Sequence, residues 1–486
     1  MAALPQRQPA PPKARRRSLA AVATVAVLAL AVACTRPADQ RETGAAAPAP
    51  AAATGGTPSP ASPSGSGAGD FGSLKAVCGP GNAKGSTAMG VTDSEIRVGT
   101  ISDVGFSGRP GLNQELFDAS EVFTKWCNAA GGINGRKIVD DELDAKLTEY
   151  KQRITEACQQ DFMLVGGGGV FDDAGQKERL SCLLPDIPGY QVSAEARGSD
   201  LSVSAIPAPL DQLPIGIFQY LGQKFPSSTK KVAFLTGNVP ATVLVDKQAL
   251  EGVKTLGWKS VYRAQYNALG ESSWTPFAEA LRSNGAKGLV YTGEPENMAK
   301  LLQAIDDIGY KLDWVVVGPN HLDQNFIKVG GSAVHDVYLL ASVVPFFDAA
   351  KNPATQQYLD LFKQYKPNGK SQAVLGYNSF SGWLLFAEAV KACGSNVTRK
   401  CVYDKAKATT SWTGGGLHAA TNPSTDGPTP CYLVVEGTPQ GFSVPADFKP
   451  TDGLFSCSDK SVANLKGDFG KGTTLADVGK KLSDLK

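Results

Sequence analysis

Hydrophobic positions between residues 116 and 130 recur at every third or fourth residue, which places them on one face of an α-helix. These positions are Leu116, Ala119, Phe123, Trp126 and Ala130. Gly131 and Gly132 follow, and glycine ends a helix readily because it adopts positive φ without a Cβ penalty. Asn134 and Gly135 then form a tight-turn pair. The segment therefore predicts a helix, a stop, a turn and a strand over 136–139.

Beyond residue 95, short apolar runs typical of buried strands alternate with helical patterns. The predicted strands are 96–101, 161–166, 190–194, 231–236, 288–293, 314–319 and 337–344. Helical spacing occurs between these runs, as in the sets Leu147, Tyr150, Ile154, Ala157 and Met298, Leu301, Leu302, Ile305, Ile308. Near-continuous apolar strands that alternate with helices predict an α/β fold with parallel sheets covered on both faces.

Prolines interrupt this rhythm at IPAPLDQLP, residues 206–214, before it resumes. The length of 486 residues and the apolar content of 42% are sufficient for more than one core. We therefore expect two α/β lobes joined by crossovers. Ligands bind at the carboxyl ends of parallel strands, and a cleft between two lobes allows a hinge motion around the ligand.

The first 33 residues have the pattern of a secretion signal. A cluster of cations precedes an apolar run over 19–33, which is too short to span a bilayer and ends in small residues. The tetrapeptide Ala31-Val32-Ala33-Cys34 resembles a bacterial lipobox, with Ala31 where Leu is more usual, and this implies lipidation of Cys34. Arg16 and Arg17 also fit a twin-arginine signal, for which a plain positive segment is the simpler interpretation.

Residues 34–75 are dominated by Ala, Pro, Gly, Ser and Thr, which predicts a disordered tether. No later apolar run is long enough to cross a membrane, so we expect an exported protein anchored by lipid to the outer face of the cytoplasmic membrane. The 48 Lys and Arg residues nearly balance the 46 Asp and Glu residues and form no evident basic patch. A nucleic-acid partner is therefore not expected. The protein is expected to be a monomer.

Cysteine usage indicates an oxidising compartment. Setting Cys34 aside, the nine cysteines of the chain leave eight, an even number that favours disulfides. Local closure predicts Cys393–Cys401, Cys158–Cys182 and Cys431–Cys457, and elimination then pairs Cys78 with Cys127. No C-x-x-C spacing occurs in the sequence, so a zinc cluster is not expected.

The sequence contains no recognisable catalytic motif. The three histidines, His321, His335 and His418, lack metal-ligand spacing, and no nucleophile elbow or P-loop is present. The adjacent acids Asp172 and Asp173 are interpreted as solvated. No cofactor, metal or enzymatic activity is expected, although an extracellular hydrolase on an α/β scaffold remains an alternative.

Four segments together resemble the type I periplasmic binding proteins, especially their leucine/isoleucine/valine-binding branch. They are VTDSEIRVGTISD (91–103), NAAGGINGRKI (128–138), GLVYTGEPENMAKLLQAIDDIGY (288–310) and YNSFSGWLLFAEAVKACG (377–394). The resemblance implies two Rossmann-like lobes, a hinge of three crossovers, and a small polar ligand delivered to an ABC permease. It implies lobe 1 at 91–207 plus 336–410, lobe 2 at 208–335 plus 411–460, and a tail at 461–486. A receptor of the same fold that serves a sensor is the alternative function.

The first-lobe candidates follow two predicted strands. The run GGGGVF, residues 166–171, fails the dinucleotide fingerprint because Phe171 stands where glycine is required. Its backbone N–H groups, with Gly168, Val170 and Phe171 as contacts, are candidates to hold a carboxylate; the alternative is that glycine serves only the turns. Relatives have a serine or threonine loop here. Ser193 and Ala194 match the next ligand loop, in which the family holds the ligand carboxylate, unless Ser193 only caps a turn.

The second lobe of the family places an acid on the ligand ammonium group. An alignment with one inserted residue puts Glu296 at that position, and a gapless alignment puts Asn297 there. Glu296 favours a zwitterionic amino acid through a charge-assisted contact, whereas Asn297 suits an amide or a hydroxyl. Both Glu294 and Glu296 also fit an ordinary helix N-terminus.

Three aromatic residues and one cation complete the candidate contacts. Phe106 and Arg109 lie where the first loop of the family lines the cleft, and Arg109 either attracts an anionic group or is solvated. Tyr266 and Tyr377 are candidate walls for an apolar part of the ligand, and core packing is the alternative for each.

Overall fold

The computed structural model describes residues 67–486. The expected signal over 1–33, Cys34 and most of the expected tether lie outside the described residues. The chain first forms β1 (Glu95–Ser102), α1 (Gln114–Ala129), β2 (Lys137–Asp144), α2 (Tyr150–Gln160), β3 (Leu164–Val165), α3 (Gln176–Ser181), β4 (Asp186–Ile187) and α4 (Ala194–Arg197). The four strands pair in parallel in the order β2-β1-β3-β4 and define lobe 1.

The chain then continues into lobe 2. It forms β5 (Gln212–Pro214), α5 (Gly216–Lys224), β6 (Val232–Gly237), α6 (Pro240–Thr255), β7 (Ser260–Tyr266), α7 (Thr275–Ser283), β8 (Gly288–Thr292), α8 (Pro295–Asp307), β9 (Trp314–Val317), α9 (Gln324–Gly330) and β10 (Val337–Ala341). Strands β6 to β10 are joined in parallel, and every residue of β6 is buried, as expected for a strand covered on both faces.

The remaining elements are shared between the lobes. They are α10 (Pro353–Tyr365), α11 (Val374–Cys393), α12 (Arg399–Lys407), β11 (Cys431–Thr438), β12 (Gly441–Ser443), β13 (Ser456–Cys457) and β14 (Val462–Asn464). Helix α11 packs on α1, β3 and β4 in lobe 1, whereas β11 pairs with β10 in lobe 2. The chain therefore crosses between lobes after α4, after β10 and after α12, the three crossovers that the resemblance implies, and once more after β14, where the last residues return to lobe 1.

The helix and turn of the opening segment are confirmed. Helix α1 ends at Ala129, and Gly131 and Gly132 have φ of 114° and 79°. Asn134 and Gly135 also have positive φ, and Ile133 and Arg136 exchange backbone hydrogen bonds of 2.8 and 3.0 Å across them. The turn leads directly into β2, which extends the predicted strand to residue 144.

Two sequence predictions about strands are wrong. The strand expected at 190–194 lies earlier, at β4, because the Pro188 that follows β4 has no N–H for a sheet ladder and the chain turns there. The lobe boundary at 336 would place β10 in lobe 1, yet β10 pairs with β9 in lobe 2. The apolar sequence of a buried strand does not indicate which sheet the strand joins.

The folded body begins earlier than the tether boundary at residue 75 predicts. Phe71 is fully buried and packs against Trp126 and Phe380. All four predicted disulfides are confirmed: Cys78–Cys127, Cys158–Cys182, Cys393–Cys401 and Cys431–Cys457. The first of them ties this early segment to α1.

The expected tail at 461–486 is part of the packed structure. Its first residues form β14, which pairs with β5. Further on, Leu475 and Leu485 join a small core with Leu180 and Leu201 of lobe 1. Within residues 67–486, no helix has the length and apolar character needed to span a bilayer.

Candidate functional site

An ion pair joins the two lobes at the carboxyl ends of their strands. Arg109, in the loop after β1, donates from Nη2 to Glu296 at 2.7 Å and from Nη1 to Glu294, both in the segment after β8. Burial lowers the pKa of Arg109, but the two carboxylates raise it more, and its net pKa lies above the usual value. Three predicted site residues from opposite lobes therefore meet.

Local structure fixes both partners. Backbone hydrogen bonds from Phe106 to Asp103 and from Arg109 to Phe106 fold the lobe 1 loop into consecutive turns. Phe106 is half-buried in this loop. On the other side, Glu294 is the N-cap residue of α8 and Glu296 lies in its first turn, where the helix dipole favours negative charge.

Tyr190 and His321 follow β4 and β9, at the carboxyl ends of the strands of their own lobes. Tyr190 accepts a hydrogen bond of 2.6 Å from Asn113, and its pKa is raised by burial and then by acids of both lobes. His321 is fully buried in the loop after β9, where its ring meets Tyr291 edge-on. Arg109, Tyr190, Glu294, Glu296 and His321 are called the interlobe site below.

The glycine run after β3 is closely packed. A Cβ on Gly168 would lie 2.4 Å from the Tyr190 ring, and one on Gly169 would lie 2.6 Å from the Tyr150 ring. Gly168 donates its N–H to the backbone carbonyl of Ile101. Close approach of neighbouring groups therefore explains Gly168 and Gly169. Gly168 does not have a positive φ, so a requirement of the turn, the alternative considered from the sequence, does not account for it.

The carboxylate of Asp103 accepts a hydrogen bond from the N–H of Val170 in this loop. Val170 donates its N–H to Asp103 at 2.8 Å, and Leu147 donates to the other oxygen at 2.9 Å. Phe171 is half-buried and precedes a turn of 3₁₀ helix, Asp172–Gly175. The expectation of a free anion-binding loop therefore fails at Val170, because Asp103 is the anion that the loop binds.

Ser193 caps a helix, as the alternative interpretation proposes. Its hydroxyl accepts from the N–H of Ala196 at the start of α4, while its own N–H donates to Asp172 at 3.0 Å. Ala194 is half-buried as the first residue of α4, beside Gly470 of the C-terminal segment. Asp172 is almost fully buried, so the expectation that this acid is solvated is wrong.

In lobe 2, Asn297 is buried and donates to the backbone carbonyl of Ala268 at 3.0 Å. Glu296, which is only partly buried, holds the contact with lobe 1. Tyr266 is buried behind this segment, stacked on Tyr291, and donates to the Tyr291 hydroxyl at 2.6 Å. The core-packing alternative describes Tyr266.

Tyr377 lies away from the interlobe site. It is fully buried in α11, its ring meets Phe346 and Tyr358, and its hydroxyl pairs with Thr355. The expectation that it walls the cleft is corrected, because the core of lobe 1 surrounds it.

Sequence reasoning assigned no role in the site to Asp103, Asp172, Tyr190 or His321. A weak signal existed for Asp103, which directly follows a buried strand. The other three follow shorter strands or lie in loops whose positions depend on tertiary packing. Within the described part of the chain, no group of three His, Cys, Asp or Glu side chains is arranged to hold a metal.

Comparison with solved structures identifies the fold. The chain is similar to a fatty acid ABC transporter substrate-binding protein from Thermomonospora curvata, with a TM-score of 0.65 and 16% identity over 79% of this chain and 97% of that one. It is also similar to a possible leucine/isoleucine/valine-binding protein from Rhodopirellula baltica, with a TM-score of 0.63 and 12% identity over 74% and 98% of the two chains.

A third structure, a branched chain amino acid ABC transporter from Thermus thermophilus with bound valine, gives a TM-score of 0.61 and 15% identity over 74% and 98% of the two chains. No curated protein matches the chain by sequence. The family model described as "Periplasmic binding protein" matches residues 95–441. That match spans most of the chain and both of its parallel-rich lobes, and the protein therefore belongs to the periplasmic binding protein family, with the type I fold.

Proposed function

We propose that this protein is the extracytoplasmic substrate-binding component of an ABC importer, and that it captures a small amino-acid-like or amide-like solute between its lobes. The contact of Arg109 with Glu294 and Glu296 supports this most directly. It brings charged groups of both lobes together at the carboxyl ends of their strands. Convergent polar groups in such a position are typical of a small-molecule site.

The solute is proposed to bind by closure of the hinge. Several chain segments connect the lobes, and relative motion of lobes joined in this way is the usual response to a ligand. We assign the polar contacts to the interlobe site, and the half-buried Phe106 to the apolar wall.

Cell attachment and delivery complete the proposal. Lipidation of Cys34 would hold the protein at the outer face of the cytoplasmic membrane, where it would deliver its solute to an ABC permease as a monomer. We propose binding without chemical conversion of the solute. Recovery of an altered product from the bound fraction would contradict this part.

A thermal-unfolding screen tests the binding function. The chain lacking residues 1–34 is heated with amino acids, amides, amines, small organic acids and sugars. A solute at about 100 times its dissociation constant adds roughly 2.7 kcal/mol of stability. The solute-free protein is expected to exchange between open and closed forms, and X-ray scattering with the same solute then reports the shift towards the closed form as a smaller radius of gyration. A radius unchanged by a tightly bound solute would argue against closure between the lobes.

A further inference from the structure

Backbone N–H groups at the carboxyl edge of the lobe 1 sheet are bound by carboxylates of the chain itself. Two buried aspartates each accept two of them at 2.8 to 3.0 Å: Asp103 from Leu147 and Val170, and Asp172 from Val192 and Ser193. Both aspartates are at most 1% exposed. A carboxylate of a solute would therefore find these donors in use and two negative groups behind them.

A third aspartate extends this arrangement. Asp144, at the end of β2, accepts from the N–H groups of Gly105 and Lys146, each at 3.0 Å. The ends of β1, β2 and β3 thus each have an internal anion nearby. Like charges in a partly buried site repel a second anion, because solvent screens them only weakly.

Arg109, the cation of the interlobe site, is also already paired with carboxylates. Arg109 is bound by Glu294 and Glu296 together, so the site has one positive side chain between two negative ones. His321 adds no positive charge. Burial lowers its pKa to about 3, and the nearby charge of Arg109 lowers it as well.

The hydrogen bonding of His321 indicates the kind of solute group that the site accepts. Its Nδ1 lies 3.2 Å from the carbonyl oxygen of Gly318, which can only accept, so Nδ1 carries the proton. The other ring nitrogen, Nε2, is then an acceptor, and it is buried without a hydrogen-bond partner among residues 67–486. Such an acceptor would be satisfied by an N–H group of a solute that reaches it when the lobes open.

Tyr190 offers the complementary group. Its oxygen accepts from Asn113, which leaves its own proton to donate to a neutral oxygen. Burial, and then the charges of Asp103, Asp172 and Glu294, raise its pKa, so Tyr190 stays protonated and able to donate. An amide carbonyl or a hydroxyl is a suitable partner for this donor.

We propose that the interlobe site selects a small solute with an ammonium group and an uncharged polar end, such as an amino-acid amide or an amino alcohol, over the corresponding zwitterionic amino acid. Glu296 and Glu294 receive the ammonium group in exchange for Arg109. Tyr190 and His321 meet the uncharged end. This inference rests on the proposed function and specifies its solute class.

Matched pairs of solutes test it on the wild-type chain. Leucine and leucinamide, and valine and valinamide, differ only in whether the polar end is charged, and leucinol provides a hydroxyl. Calorimetric titration at neutral pH should show each amide binding at least about tenfold more tightly than its acid, the factor expected when buried polar groups are left mispaired. An acid that binds as tightly as its amide, or more tightly, would overturn the inference and leave the binding function intact.

Variants test which residues cause the preference for the amide over the acid. Asp172→Asn removes one internal anion and should reduce the ratio of amide affinity to acid affinity severalfold. The matched control Asp404→Asn removes a carboxylate that pairs with Lys400 on the outside of α12, and it should leave this ratio unchanged. An unchanged ratio in Asp172→Asn would overturn the role given to the lobe 1 aspartates, and the wild-type comparison holds even where this variant folds poorly.

The remaining outcomes also separate the two proposals. Binding of sugars or organic acids without any amine would overturn the solute class and keep the binding function. Failure of every solute to shift the unfolding temperature would count against both.

Discussion

The Nη2 atom of Arg109 in lobe 1 lies 2.7 Å from a carboxylate oxygen of Glu296 in lobe 2, and the same guanidinium also contacts Glu294. The lobes are therefore held together by the very charges expected to select a solute. Opening exposes these charges to water, whereas a solute that enters must replace one partner of the pair. The ion pair thus couples the position of the lobes to the occupancy of the site.

Arg109→Gln should open the protein in the absence of solute. Partly exposed ion pairs contribute about 0.2–1 kcal/mol each, so the loss of two should shift the ratio of closed to open forms by a factor of about five. X-ray scattering should show a larger radius of gyration than for the wild type. High salt should produce a similar change in the wild type, because salt screens exposed charges.

The control for this variant is Arg263→Gln. Arg263 pairs with Asp246 inside lobe 2 at 2.8 Å, so its loss removes the same charge without touching the contact between the lobes. An equal change of radius in both variants would show that net charge, and not the bridge, sets the opening.

Asp172 should make stability depend on pH in a particular direction. Burial raises the pKa of its carboxyl to about 6, against 3.8 in the unfolded chain. The folded protein therefore binds more protons between these values, so the contribution of Asp172 to stability increases as pH falls from about 6 to about 4 and is lost as pH rises. The shift corresponds to at most about 3 kcal/mol.

Denaturant unfolding of the wild type and of Asp172→Asn at several pH values measures this effect. The free energy of unfolding of the wild type should increase relative to that of Asp172→Asn as the pH is lowered. The difference between the two should be constant above pH ~7. A difference that moves the other way would mean that the pKa of Asp172 is lowered by its hydrogen bonds and not raised by burial.

Local patterns predicted much of this structure from the sequence. The helix and turn around Asn134 follow from spacing and from φ preferences. Three of the disulfides follow from short loop closures, and the fourth by elimination. Arg109 and Glu296 were candidates because the resemblance to the family places both of them at the cleft. Their direct contact was not predictable, since it depends on how two lobes meet.

Contacts between side chains and distant backbone groups were missed for the same reason. Asp172 resembles a solvated acid in the sequence, and only the approach of residues 192 and 193 turns it into a buried acceptor. Tyr377 shows the opposite error: an aromatic residue near a familiar motif lies in the core. Apolar patterns indicate burial, but they do not indicate which surface a residue faces.

Gly168→Ala should weaken solute binding through Tyr190. The added Cβ would lie 2.4 Å from the Tyr190 ring and 2.6 Å from the Tyr190 backbone oxygen, so Tyr190 must shift from its position. Overpacking of this kind costs about 1–3 kcal/mol of stability. Gly79→Ala is the matched control because a Cβ there meets nothing within 4 Å. Equal affinity in Gly168→Ala and the wild type would remove Tyr190 from the proposed contacts.

The C-terminal segment should contribute to stability through single buried leucines. Leu485 is 2% exposed and packs with Leu180 and Leu201, whereas Leu482, three residues earlier, is 46% exposed. Leu485→Ala should lower the free energy of unfolding by about 2–3 kcal/mol, because it leaves a cavity under the segment. Leu482→Ala should change it by less than about 0.5 kcal/mol. Similar small effects in both variants would mean that the last residues detach without cost and that β14, paired with β5, ends the stable part of the fold.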